Sequence, residues 1–160
     1  MGLSVLARNS FSAVGDVMWM ELDHVDNLPS HLLTRIAGFM NTVLTFHQNW
    51  FYVATVSCGV VGLWGLVMAL MKRTPSWAFE WARGIAIGAI LLQVTAGVYL
   101  YANDVRPNSE WHTFYGVVIA VTLTLAYVYR ATMARRPALT YGILLLFVMG
   151  LGLRAWTNVS

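Results

Sequence analysis

From about residue 50 onward the chain consists of long apolar runs separated by short polar connections. Four runs, at about 50–71, 78–101, 112–129 and 138–153, approach or reach the roughly 20 residues that a helix needs to cross a bilayer. A proline falls in each gap between runs, where a missing backbone N–H is tolerated: Pro75, Pro107 and Pro137. The pattern predicts an all-α integral membrane protein, with a four-helix transmembrane bundle over residues 47–160.

The segment before the first run has a different pattern of apolar and polar residues. Between about residues 30 and 46, apolar residues recur at helical spacing and polar residues occupy the other face. We expect an amphipathic interfacial helix that lies on the membrane surface or docks on a partner, with these contact residues: Ile36, Phe39, Met40 and Val43. Because no proline or glycine separates Phe39 from Cys58, this segment can instead continue into the first span as one helix. Residues 1–46 are interpreted as a tail, of which the first 28 lack a clear period.

The charge pattern indicates a topology. Only 11% of residues are charged, against roughly 25% in soluble domains, and 58% are hydrophobic. The net charge of +3 is not concentrated beyond Arg135-Arg136, which argues against nucleic acid as a partner. Basic residues instead flank the first and third connections, so both connections are predicted to be cytoplasmic and both chain ends to lie outside.

Small and polar residues in the second run suggest helix packing. Gly84 and Gly88 form a GxxxG pattern, which allows a neighbouring backbone to approach closely. We interpret it as packing inside the bundle, with a dimer contact as the alternative. Gln93 is the most polar residue within any run and is predicted to hydrogen-bond between helices.

Two histidines are the candidate site. His47 precedes the first run and His112 opens the third; since these runs have the same direction, both histidines should fall at the outer boundary. Neutral imidazoles from two helices can ligate a haem iron axially, and one interpretation of the pair is therefore a haem b site. The alternative is a pair of interfacial histidines bonded to water, headgroups or loop carbonyls.

Motifs that would indicate an enzyme are missing from the sequence. It has no HExxH, no GxSxG, no phosphate-binding glycine loop and no paired carboxylates within the runs. The single cysteine, Cys58, falls within an apolar run and cannot form an internal disulfide. No catalytic or metal-binding residue set is predicted beyond the two histidines.

Three stretches carry a resemblance to known proteins: Leu92–Leu100, His112–Gly116 and Arg154–Thr157. Together they resemble small four-span bacterial membrane proteins, over roughly residues 48–158. A looser similarity is to one half of haem A synthase, in which a histidine near a span end ligates haem in a four-helix bundle. The surroundings of His47, Leu44-Thr45-Phe46-His47-Gln48, depart from the Glu-x-x-His-Arg signature of that family.

The function expected from these features is that of a non-enzymatic accessory or structural subunit in a bacterial inner-membrane complex for respiratory or photosynthetic electron transport. Its partners would be the lipid bilayer and other membrane subunits. The alternative is a small b-type cytochrome or quinone-interacting protein that uses His47 and His112.

Overall fold

A computed structural model describes residues 29–107 and 109–158, and the regular secondary structure within them is entirely helical. Five helices follow in chain order: α1 (Ser30–Leu70), α2 (Trp77–Ala102), α3 (Glu110–Val128), the single turn α4 (Arg130–Met133) and α5 (Pro137–Trp156). Four of them, α1, α2, α3 and α5, are long and apolar enough to cross a membrane. The predicted all-α architecture with four long apolar helices is therefore confirmed.

The first helix differs from the expected pair of elements. A separate amphipathic helix was predicted at about 30–46, but α1 is one helix of 41 residues that also includes the first span. The physical reason lies in the uninterrupted stretch from Phe39 to Cys58, which has no proline or glycine to end the ladder of hydrogen bonds between residues four apart. The first 28 residues of the predicted tail lie outside the described residues.

The chain divides into two compact units, with the boundary between Asn41 and Thr42. The first unit is described from Pro29, whose carbonyl accepts a hydrogen bond of 2.8 Å from the N–H of Leu32 at the start of α1. The second unit contains the remainder of α1 and the whole of α2 to α5. All of the helix packing discussed below belongs to this second unit.

The ends of α1 and α2 share one geometry. A residue shortly after each helix takes a left-handed conformation: Lys72 with φ 52° and Asp104 with φ 59°. The N–H of the following residue, Arg73 or Val105, then bonds at 3.0 Å to a carbonyl five residues earlier. This arrangement satisfies carbonyls that the helix end would leave unpaired. In both connections a proline follows three residues after the left-handed residue.

Glycines bring α1 and α5 into backbone contact. A Cβ built on Gly142 would lie 2.9 Å from the backbone nitrogen of Leu66 and 3.1 Å from the carbonyl oxygen of Gly62. A Cβ on Gly65 would lie 2.8 Å from the carbonyl oxygen of Ala138. Real Cβ atoms essentially never lie within 3.0 Å of a backbone atom of another helix, so a side chain at either glycine would force the two helices to shift.

Hydrogen bonds to the backbone of α2 hold it against α1. The indole Nε1 of Trp50 donates to the carbonyl of Ala89 at 3.0 Å, and the Cys58 thiol donates to the carbonyl of Ala86 at 3.8 Å. Around these contacts lies the core, whose largest fully buried side chains are Phe79, Leu145, Val148 and Cys58. The helices α2, α3 and α5 also pack against one another.

The outward faces of the long helices are apolar. Several large aliphatic side chains on them are more than half exposed, including Val60 at 62% and Ile85 at 65%. A bundle in water would carry polar residues on these faces, whereas hydrocarbon tails solvate them well. Together with the lengths of the four helices, this surface is consistent with a multi-pass membrane protein.

Candidate functional site

Two histidines from different helices meet in the bundle. His47 lies on α1 and His112 in the first turn of α3, and both side chains are partly buried. Their ring centres are 6.1 Å apart, with the ring planes inclined at 75°. The structure therefore brings together the two residues that the sequence nominated as a site.

A glycine on α2 makes room for the ring of His47. A Cβ built on Gly97 would lie 3.1 Å from Cε1 of this ring, closer than an ordinary carbon contact. The imidazole thus packs directly on the α2 backbone, where any other residue would displace it. Sequence reasoning did not identify Gly97, although it follows Gln93 by four residues and so shares a face of the helix with it.

The ring of His112 is held by a main-chain carbonyl of α5. Its Nδ1 lies 3.1 Å from the carbonyl oxygen of Ala155 on α5. A carbonyl oxygen can only accept a hydrogen bond, so Nδ1 carries the proton and, in the neutral ring, Nε2 keeps a lone pair. Histidines that bind metals in proteins commonly have this arrangement, because the second bond orients the ring and raises its basicity.

Gln93 joins α2 to the backbone of His47. Its side chain is 8% exposed, and its amide nitrogen donates to the carbonyl oxygen of His47 at 3.0 Å. The same nitrogen lies 3.4 Å from Nε2 of the His47 ring. Gln93 was predicted to bond between helices, and the structure places its amide directly against the candidate site.

Two buried polar atoms at this site have no hydrogen-bond partner. Among the described residues, the unpartnered buried side-chain atoms are Nδ1 of His47, Oε1 of Gln93 and Oγ1 of Thr55. Buried polar groups in native proteins are nearly always paired with protein, water or a ligand. Two of the three atoms belong to neighbouring side chains at one site, which is where an additional bound group would be expected.

The ligating side chains present among the described residues limit which kind of metal centre this site could hold. Nowhere in the described residues do three or more His, Cys, Asp or Glu side chains converge, so a typical zinc site is not present there. Haem supplies four nitrogens of its own and needs only one or two axial ligands. His47 and His112, whose ring centres are 6.1 Å apart, are the residues that would hold such a group.

Among the described residues, no other helix packs closely on the GxxxG glycines. Gly84 and Gly88 are exposed, and a Cβ built on either would meet nothing within 4 Å. The sequence favoured packing inside the bundle, but α1 approaches α2 along the face that carries Ala86 and Ala89 instead. A motif of two small residues does not specify which face of a helix is buried, and here the exposed face has it.

The predicted docking residues lie on the N-terminal part of α1. Ile36 is 53% exposed and Phe39 57%, whereas Met40 and Val43 are partly buried. Ile36, Phe39 and Met40 belong to the first compact unit and Val43 to the second. Their role in docking stays a prediction.

Comparisons with family models, with characterised proteins and with solved structures found no match for this chain. Its function is therefore inferred from the geometry of the site and from the chemistry of the residues that form it.

Proposed function

We propose that this chain is a small membrane protein that binds haem b, which His47 and His112 would hold. The observation that carries the proposal is the 6.1 Å separation of the two ring centres, which suits a pair of imidazoles on one iron. A haem b held there would accept and release single electrons, the chemistry of a b-type cytochrome.

The protein's own residues would orient the ligands and exclude water. The carbonyl of Ala155 holds the His112 ring through Nδ1 and leaves Nε2 as the donor atom. The Gly97 backbone provides the surface on which the His47 ring rests. Ligation through Nε2 of His47 requires the Gln93 amide to move away from its present 3.4 Å contact with that atom.

The test is a visible spectrum of the full chain, expressed with haem supplied and purified in mild detergent. We expect a Soret band that is lost or shifted in His47→Ala and in His112→Ala. His31→Ala is the matched control, because His31 is an exposed histidine near the start of α1 and should not affect the spectrum. Wild-type protein without a Soret band would contradict the proposal, and bound copper without tetrapyrrole would assign the pair to a bare ion instead.

A second candidate function is suggested by the length of α1. Its 41 residues are about twice the roughly 20 that a helix needs to cross the hydrocarbon core. Ile36, which is 53% exposed, lies in the N-terminal part of this helix. Such a surface supports the role of an accessory subunit that docks on a membrane complex, a role that is compatible with haem binding.

The docking role is tested with a pair of variants that add the same charge. Ile36→Asp places a carboxylate on the apolar face, and burying it at an interface would cost several kcal/mol, so co-purifying subunits should be lost. Asn41→Asp adds a carboxylate to the polar face and should leave them bound. Retention of every partner by Ile36→Asp would exclude this surface as the docking site.

A further inference from the structure

Basic side chains gather at one end of the bundle. A Cβ built on Gly65 would lie 2.8 Å from the carbonyl oxygen of Ala138 and 3.0 Å from the ring of Phe79, so the end of α1 and the starts of α2 and α5 meet there. The connections at this end and the first turns beside them hold six of the ten lysines and arginines in the chain: Lys72, Arg73, Arg83, Arg130, Arg135 and Arg136. The acidic residue of this region, Glu80, is already paired with Arg83.

Three of these cations belong to the turn between α3 and α5. Arg130, Arg135 and Arg136 are all exposed, and the ion pairs among the described residues involve other side chains. The Arg130 guanidinium lies 4.4 Å from the centre of the Tyr127 ring and donates to the Tyr127 carbonyl at 3.0 Å. A guanidinium has further N–H donors beyond one such bond, in a fork that matches the oxygens of a phosphate. The turn therefore has the chemistry of an oxyanion site.

A side chain of α5 holds this turn in place. The hydroxyl of Thr140 lies 2.9 Å from the carbonyl oxygen of Met133 and 3.0 Å from that of Arg136. Both carbonyls belong to the segment between α3 and α5, which is thus tied to the first turn of α5. Because the backbone is fixed in advance, a ligand of the arginines would order little more than their side chains.

An apolar cleft of about 250 Å³ opens beside the same turn. It is lined by residues of α3, of the turn and of α5: Thr122, Leu125, Ala126, Tyr129, Met133 and Leu144. Thr122 lies two helical turns before Tyr129, so the cleft extends from the basic turn toward the apolar middle of α3. Membrane topology accounts for basic residues at a span end, but it does not require a cleft beneath them.

We propose that the basic turn and the cleft together bind one anionic phospholipid. Its phosphate would lie on Arg135 and Arg136, and part of one acyl chain would pack against Leu125, Ala126 and Leu144. An acidic headgroup complements arginines that have no counter-charge, and basic pockets between membrane helices are a recurring kind of site for such headgroups. An acidic soluble protein could reach the arginines but not the depth of the cleft. The site is independent of haem.

The test measures lipid binding to the full chain in detergent by native mass spectrometry. The two probes are dioleoyl-phosphatidylglycerol and dioleoyl-phosphatidylcholine, which have the same acyl chains and differ in headgroup charge. We expect wild type to bind the anionic lipid more tightly. A basic residue near an anionic lipid headgroup contributes about 1 kcal/mol, or about fivefold in affinity, so Arg135→Gln combined with Arg136→Gln should weaken this binding by about 25-fold.

Lys72→Gln combined with Arg73→Gln is the matched control for charge. It removes the same charge from the same end of the bundle, but from a connection that does not line the cleft, and it should leave the affinity unchanged. An equal loss in the two double variants would overturn the proposal in favour of a general surface potential. Equal affinities of wild type for the two lipids would also overturn it and leave the arginines to topology or to an acidic protein.

A second pair of variants tests the cleft. Ala126→Phe fills it and should weaken binding of both lipids, whereas Val117→Phe is the control, because Val117 is 55% exposed on α3 and does not line the cleft. Leu144→Trp replaces Ala126→Phe if circular dichroism shows that the first variant loses helix. Unchanged binding of phosphatidylglycerol in a folded cleft-filling variant would contradict the placement of the acyl chain.

Discussion

A close backbone contact between α1 and α5 predicts a large effect from a single methyl group. Gly142→Ala would place Cβ 2.9 Å from the backbone nitrogen of Leu66 and 3.1 Å from the carbonyl oxygen of Gly62. All of the atoms nearest to this Cβ are backbone atoms, which cannot turn aside as a flexible side chain can. The two helices must therefore move apart locally by roughly 0.5 Å to restore a normal separation of about 3.5 Å.

The size of the effect follows from two opposing terms. Alanine is favoured over glycine within a helix by about 1 kcal/mol, while overpacking a tight interior typically costs about 1–3 kcal/mol. Gly150→Ala isolates the first term, because Gly150 lies on the same helix and a Cβ added there would meet nothing within 4 Å. We expect Gly142→Ala to be less stable than Gly150→Ala by about 1–3 kcal/mol, the overpacking term alone.

The assay is reversible unfolding of the full chain in mixed micelles, followed by circular dichroism and tryptophan fluorescence, with both variants compared with wild type. Gly150→Ala should be as stable as wild type or slightly more stable, and Gly142→Ala clearly less stable. Equal stability of the two alanine variants would refute the packing of α5 on α1 described above.

Two further predictions concern the site and the topology. Gly97→Ala should weaken haem binding, because its Cβ would lie 3.1 Å from the His47 ring. Gly116→Ala is the control and should not weaken it, since a Cβ there would meet nothing within 4 Å. Equal haem affinities of the two variants would argue against contact between Gly97 and the site. In a Cys58→Ala background, a thiol introduced as Arg106→Cys should react with an impermeant reagent added from outside. A thiol introduced as Thr74→Cys should not react, because the connection after α1 is the more basic one and is predicted to be cytoplasmic. The opposite labelling pattern would invert the topology.

The long helices were predictable because their signal is local. An apolar run of about 20 residues bounded by proline and charge specifies a helix wherever it lies. The predicted run at 78–101 corresponds to Trp77–Ala102, and the run at 138–153 corresponds to Pro137–Trp156. The start of α1 was harder to predict, because the amphipathic pattern of its N-terminal part suits either a separate helix or an extension of the first long helix. The sequence left both possibilities open, and the structure has the continuous one.

The site was predictable only in part. Histidine is rare enough in apolar helices that His47 and His112 could be nominated from residue type and helix direction alone. Their partners could not be, since the contacts of Gln93, Gly97 and Ala155 depend on how far each helix is shifted along its neighbours. Gln93 was expected deep in its span and His47 outside its own, yet the two side chains are in contact.

The sequence by itself determined the four long helices and their apolar character, because backbone hydrogen bonding and hydrophobic periodicity act within a few residues of each position. Only the tertiary structure decided which face of each helix is buried, that the exposed GxxxG glycines differ from the glycines in contact, and that two histidine rings lie 6.1 Å apart. In apolar helices every face has similar hydrophobicity, so the pattern along the chain hardly distinguishes them. The close fit of small residues and a few buried hydrogen bonds makes that choice, and both depend on residues far apart in the chain.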